Sequence, residues 1–342
     1  MGGNALMVQT RRIQDADEYQ HLAKQVLTRL NRAGVIAQLI PSYFTKESHG
    51  DMDIMVTKTV APDLVKICRQ AGCDGFDSKD IQVNGEVVSF EFSDFQIDLI
   101  NIPPHQYNFS FNYYSWNDLG NFIGRVAASM GFKFSNSGLW YNLNDPEVET
   151  KRIQTVLVTD DYVSALEFLG YSYDHYLRGF FTAADIFQYA ATSEYFNAKN
   201  FLYDSQNSAA RARSRKRKMQ VAMSDWLHSN YPELSADQSS TPLDRVHHLN
   251  RAFDRFPEFR QRYDQAALAH RQAVEFGRRF NGEVISQLFG GIQGQELGAK
   301  MAELRGKIDW YGLRPFIADM LDEHATGALF RDVLTTDFKL TK

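Results

Sequence analysis

The stretch Ser48-His49-Gly50-Asp51-Met52-Asp53-Ile54-Met55-Val56 decides how this chain is read. It leads from a polar turn, Thr45 to Gly50, into a β-prone run over Asp51–Thr57 that predicts a strand. Side chains two apart on a strand share a face, so Asp51 and Asp53 project together while Met52, Ile54 and Val56 turn toward a core. Adjacent carboxylates repel, and a hard divalent cation with oxygen ligands, Mg²⁺ above all, relieves that repulsion. The preceding turn carries Ser48, His49 and Gly50, with Ser42 and Lys46 upstream. Such a turn is able to present backbone N–H groups and a cation to a triphosphate. An Asp-x-Asp pair alone fits a solvated strand end better than a metal site.

A second segment changes the balance. In Phe95-Gln-Ile-Asp-Leu-Ile-Asn-Ile102, Asp98 is the single acid within an apolar strand. Burying an unpaired carboxylate is costly, so Asp98 needs a partner. Placed beside the first strand, it completes a three-carboxylate set, Asp51, Asp53 and Asp98, suited to two metal ions.

Working outward, apolar residues at helical spacing predict a helix over residues 15–32, stopped by Gly34. Val35–Ile40 predicts a short strand, Ala61–Ala71 a helix opened by Pro62, and Glu86–Phe92 with Phe95–Ile100 a hairpin-like return. The first hundred residues thus read α-β-β-α-β-β, an α/β unit on a small mixed sheet. An aromatic stretch, Tyr107 to Trp116, leads into a helix from Asn117 to Met130. From Tyr162 onward the periodic segments are helical: Tyr162–Leu169, Ala183–Ala191, Ser208–His228, Leu243–Phe256, Phe259–Phe280, Gln295–Leu304 and Trp310–Leu321. A polar linker at Ser235–Thr241 separates two of them. The expected division is a catalytic domain over 1–150 and a helical domain over 151–342.

The stretch from Ser42 to Gly131 resembles the palm and adjoining nucleotide-binding subdomain of DNA polymerase beta and its relatives. In that superfamily a Gly-Ser turn precedes a Gly-Asp-x-Asp strand, and a third Asp follows on a neighbouring strand. Ser48-His-Gly-Asp-Met-Asp-Ile matches the second element and Ile97-Asp-Leu-Ile the third. Pro103-Pro-His-Gln-Tyr107, then Tyr113-Tyr-Ser-Trp-Asn-Asp-Leu119, Asn121 and Arg125 run parallel to the segment lining the polymerase's nucleotide pocket. The resemblance implies an α+β fold: a polymerase-beta-type nucleotidyltransferase palm with a small mixed sheet, followed by a mostly α-helical C-terminal half. It implies two Mg²⁺ ions, or Mn²⁺ in their place, on Asp51, Asp53 and Asp98. Ser42, Lys46, Ser48 and Gly50 would neutralise the phosphates; Tyr114, Asp118, Asn121 and Arg125 would hold sugar and base. The chain departs from the pattern, beginning with a turn that is shorter by about one residue. Pro41 replaces the Gly of Gly-Ser, Lys46 is the only cation in a turn where the polymerase has paired arginines, and Trp116 replaces a small residue near the sugar. Nothing upstream of the motif resembles the polymerase's lyase and DNA-gripping modules, so templated gap filling is not part of the expectation.

In the second half, residues 211–218 read Arg-Ala-Arg-Ser-Arg-Lys-Arg-Lys. On a helix, Arg211, Arg215 and Lys218 form one stripe, with Arg213 and Arg217 beside it and Lys216 between. In a chain of net charge −5 so dense a run is self-repelling without a polyanion, which favours nucleic-acid phosphates over a solvated face. The segment Phe280 to Gly298 faintly resembles a helical element in the tails of tRNA nucleotidyltransferases, a pattern common to many helical hairpins. His247 and His248 are adjacent, lack spaced partners and read as surface or capping residues.

The totals exclude other classes. With 342 residues and 44% hydrophobic content the chain has ample core for about two domains of ~100–200 residues. Cys68 and Cys73, the two cysteines, make a poor zinc signature and read as reduced side chains. No apolar run approaches the roughly 20 residues of a membrane span. Leu6 stands where a myristoylation signal at Gly2 wants Ser or Thr, and no signal-peptide core is visible. A cytoplasmic protein with no membrane partner is the expectation. The expected activity is transfer of a nucleoside monophosphate from an NTP or dNTP to a nucleic-acid end, RNA before DNA. A protein or small-molecule hydroxyl as acceptor, or an idle nucleic-acid-binding protein on the same fold, are the alternatives.

Overall fold

A computed structural model of the chain describes residues 5–57, 81–145, 151–202, 218–231, 244–320 and 323–335. The helix expected at Ala61–Ala71, the two cysteines, the linker at Ser235–Thr241 and the basic run up to Arg217 lie outside these residues. The protein is α+β, with helix outweighing strand. It divides into two compact units: residues 1–142 with 157–259, and residues 143–156 with 260–342. The helices from Tyr162 to Arg255 thus belong with the sheet, not with the last part of the chain.

The first unit opens with helix α1, Ala16–Arg32. Asp15 caps it, its carboxylate accepting the amides of Asp17 and Glu18 at 2.8 and 3.0 Å. Gly34, at φ +78°, reverses the chain after it. Five strands follow: β1 (Ala37–Leu39), β2 (Asp51–Thr57), β3 (Gln82–Asn84), β4 (Val87–Phe92) and β5 (Phe95–Ile102). They form one mixed sheet in the order β1-β2-β5-β4-β3. Strands β2 and β5 are parallel, and the other pairs are antiparallel.

Alternation along β2 and β5 gives the sheet two chemically different faces. Met52, Ile54 and Val56 pack with Phe95, Ile97 and Leu99 against Leu22, Val26 and Leu30 of α1. Each large aliphatic side chain buried there contributes about 1.5–3 kcal/mol. The opposite face is apolar only toward one end. There Met55, Ile100, Ile102 and Ile40 are covered by Tyr107, Phe111 and Tyr114 from the helix Tyr107–Tyr114. Toward the other end the same face carries Asp51, Asp53, Gln96 and Asp98.

The aromatic stretch after Pro104 is itself helical, and the helix expected from Asn117 runs over Leu119–Ser129. Trp116 and Asn117 adopt left-handed φ of 63° and 61°, so the chain turns sharply between the two helices. A second sheet, in the order β6-β7-β8, comprises β6 (Phe132–Ser135), β7 (Gly138–Asn144) and β8 (Arg152–Thr159), three strands absent from the sequence reading. Helices at Tyr162–Phe168, Tyr173–Leu177, Ala183–Ala190, Lys218–Asn230 and Arg245–Arg255 complete the unit.

In the second unit, Phe276, Phe280, Ile285, Leu304, Ile308, Ile317 and Phe330 form a core of their own, drawn from the end of the helix Pro257–Arg279 and from four later helices. Among the described residues no helix is long and apolar enough to cross a membrane.

Candidate functional site

The acidic end of the sheet opens into a pocket of 1460 Å³. Asp51 and Asp53 lie in it, together with Ser42, Lys46, Ser48, Gly50, Tyr114 and Asp118, all expected at a nucleotide site. Asp98 is the register partner of Asp53 on the adjacent parallel strand. It is not one of the pocket walls, and a specific contact explains its setting. The Gln96 amide donates to both Asp98 carboxylate oxygens, at 2.9 and 3.0 Å. Gln96 is itself buried, and its oxygen accepts the Ala5 amide at 3.0 Å. From the other flank Ser89, opposite Asp98 on β4, also bonds the carboxylate.

Electrostatics set these acids apart. Asp53 keeps exposed surface yet is crowded by surrounding protein. Desolvation there, then repulsion from Asp51 and Asp98, pushes its carboxyl up to about 7 despite the opposing pull of Lys46. Asp98 is also raised, first by burial and then by Asp51, against the lowering effect of its Ser89 and Gln96 bonds. Burial lowers the Lys46 ammonium even though Asp51 and Asp53 favour its charge. His49 is pushed down to about 4, chiefly by burial, and stacks at 3.8 Å on Tyr19 as a neutral ring.

The side chains suit a hard cation in donor type: oxygen ligands, a shared face and a carboxyl raised by like charge. Among the described residues, however, no group of three or more His, Cys, Asp or Glu side chains stands close enough together to hold a metal as it is. Asp51, Asp53 and Asp98 share the one face of β2 and β5, with Asp98 oriented by Gln96.

Sequence reasoning missed part of the wall. The segment from Leu6 to Arg12 lines the pocket, and Asn117 and Met219 do too. Arg12 Nε donates to Ser48 Oγ at 3.0 Å, and Ile13 pairs with His49 across an isolated bridge. The Arg11-Arg12 doublet was the available signal, since the turn itself has one cation. Arg11 pairs with Glu18 at 2.6 Å. Asn117 Oδ1 accepts the Tyr43 amide at 3.4 Å, and the Trp116 amide donates to Pro41 at 2.8 Å, so the sharp turn and the phosphate-side turn are tied together.

Other expected residues lie elsewhere. Asn121 does not line the pocket; its amide donates to Asp118 at 2.9 Å and orients that wall residue. Arg125 also lies off the pocket, bonded to the Asn200 carbonyl at 2.9 Å and to Gln220, with its guanidinium 5.5 Å from the Phe201 ring centroid. It joins helices rather than facing a nucleotide. Trp116 is buried between Phe44 and Phe180 and is not a pocket wall. Of the basic run, Lys218 is described: it is exposed and lines the same pocket as Asp51 and Asp53. His248 is buried against Tyr195 and His247 is exposed.

No protein-family model matches the chain, and no curated protein matches it with statistical significance.

Proposed function

We propose that the chain is a divalent-metal-dependent nucleotidyltransferase on a polymerase-beta-type palm. It would move a nucleoside monophosphate from an NTP or dNTP to the 3′ end of a nucleic acid, RNA before DNA. One observation carries the reading: Asp51, Asp53 and Asp98 share one face of two parallel strands beside a pocket walled by Ser42, Lys46 and Gly50. Asp51 and Asp53 would hold Mg²⁺ or Mn²⁺, with Asp98 completing the set. Bound there, the metal neutralises triphosphate charge and acidifies the attacking hydroxyl. Lys46 and the Arg12-braced turn would hold the β- and γ-phosphates. Tyr114, whose hydroxyl burial pushes up to about 12, stays protonated as a donor to the sugar or base. The acceptor oxygen attacks the α-phosphorus, the α–β phosphoanhydride breaks, pyrophosphate leaves, and Asp98 Oδ receives the hydroxyl proton.

Pyrophosphate release tests this. With nucleotide, Mg²⁺ and RNA or primed DNA, the wild type should release pyrophosphate, and Asp53→Asn should not. Release unaffected by Asp53→Asn would refute the reading. A second reading, nucleotide binding without transfer, draws on the hold of Gln96 over Asp98. Mg²⁺-dependent nucleotide binding with no pyrophosphate from any acceptor would favour it.

A further inference from the structure

Beside the pocket the chain exposes two phenyl rings. Phe44 is 61% exposed and Phe181 63% exposed, with ring centroids 6.4 Å apart. Both are braced from behind. The Phe44 amide donates to the Phe180 carbonyl at 3.0 Å, and Thr45 donates twice to the Phe181 carbonyl, from its amide at 2.9 Å and its hydroxyl at 2.8 Å. Trp116 meets the Phe44 ring edge-on at 5.6 Å. Gly179, at φ +73°, permits this approach, because a Cβ there would lie 2.8 Å from Trp116 Cη2 and 3.0 Å from Phe44 Cζ.

The shelf adjoins the chemistry. Tyr43 and Thr45, on either side of Phe44, are walls of the pocket that holds Asp51 and Asp53. Lys46 and Lys218 line that pocket together with the acid Glu47, and Arg178, next to Gly179, is exposed. Lys218 is also the end of the basic run that starts at Arg211. The nearby acid Asp185 is engaged by the amides of Phe181 and Thr182, at 3.0 and 2.8 Å.

Two exposed rings with planes 64° apart, beside a pocket that carries cations, fit unpaired bases on a phosphate backbone: each ring offers a phenyl face to one base, and the cations follow the phosphates. An apolar protein surface would bury the rings but gain nothing from the cations, and a duplex hides its base faces. We propose that Phe44 and Phe181 form a stacking platform for the unpaired bases of a single-stranded nucleic acid. Placing the strand's 3′ end at Asp51 and Asp53 rests on the nucleotidyl-transfer reading; the stacking does not.

The test is fluorescence anisotropy with a labelled single-stranded oligoribonucleotide and an abasic strand of equal length, without metal or nucleotide. The wild type should prefer the base-bearing strand by about tenfold or more. The double variant Phe44→Leu, Phe181→Leu should lose that preference and keep the weaker, salt-sensitive binding common to both strands. Both rings are exposed, so the variant should fold; its circular dichroism and melting are compared first. Equal binding of both strands by the wild type, or a preference unchanged in the variant, would overturn the platform. Pyrophosphate release on the same preparations separates the two readings. Base preference without release leaves the platform standing and removes nucleotidyl transfer, whereas release without base preference does the reverse.

Discussion

Gln96 holds Asp98 by both carboxylate oxygens, at 2.9 and 3.0 Å, directly across the strand from Asp53. Because the same Gln96 accepts the Ala5 amide, the N-terminal segment is coupled to the orientation of Asp98. Replacing Gln96 by Leu removes two charge-assisted bonds and leaves Ser89 to hold the Asp98 carboxylate from one flank. The expected result is a fall in kcat of about tenfold or more, with nucleotide KM nearly unchanged. Steady-state kinetics of Gln96→Leu would check it; a rise in KM alone would assign Gln96 to substrate binding instead.

Arg12 braces the turn through Ser48 Oγ at 3.0 Å. Arg12→Ala should raise nucleotide KM by about tenfold while kcat changes little, since the loss falls on ground-state triphosphate binding. Lysine cannot reproduce a planar fork, so Arg12→Lys should recover only part of the affinity. Isothermal titration with a non-hydrolysable nucleotide reads this directly.

Gly179 is required twice over, by its left-handed φ and by the rings of Trp116 and Phe44 against it. Gly179→Ala should cost about 1–3 kcal/mol of stability, measured by urea unfolding, through overpacking and backbone strain. Gly34, also left-handed but with open space around it, should tolerate Ala at a smaller cost.

His248 links stability to pH away from the pocket. Burial, then the charge of Arg251, lowers its pKa below the ordinary 6.5. The folded state therefore binds fewer protons than the unfolded chain at mildly acidic pH. Stability contributed by the neutral ring is intact above about 6.5 and is lost as pH falls below it. His248→Gln should flatten that part of the stability profile, measured by denaturation at pH 7.5 and 5.5. An unchanged slope would show that the ring is not the group responsible.

Much of the site was legible because it follows from alternation. The shared face of Asp51 and Asp53 and the core face of Met52, Ile54 and Val56 need only a period of two, while the neighbouring position of Asp98 followed from the cost of an unpaired acid in an apolar strand and from the resemblance. Helix α1 was equally readable, from its apolar stripe and the stop at Gly34. The wall made by residues 6–12 was not, since that segment has no helix or strand and meets Ser48 and the strand hairpin through contacts far apart in sequence. Nor did the sequence reveal that Arg125 joins helices, because its partners Asn200 and Gln220 are distant and carry no pattern. The strands β6 and β7 did leave a trace. Phe132-Lys133-Phe134 alternates buried, exposed, buried, and the turn ends at Gly138, but the flanking helices dominated the reading.

The decisive experiment incubates the protein with each α-labelled NTP and dNTP, Mg²⁺, and either total RNA, primed DNA or no added acceptor, beside Asp98→Asn. Label on RNA or DNA that disappears in Asp98→Asn, with nucleotide binding retained, is the predicted result. Label transferred equally by Asp98→Asn, or none transferred to any acceptor by the wild type, would contradict a three-carboxylate nucleotidyltransferase.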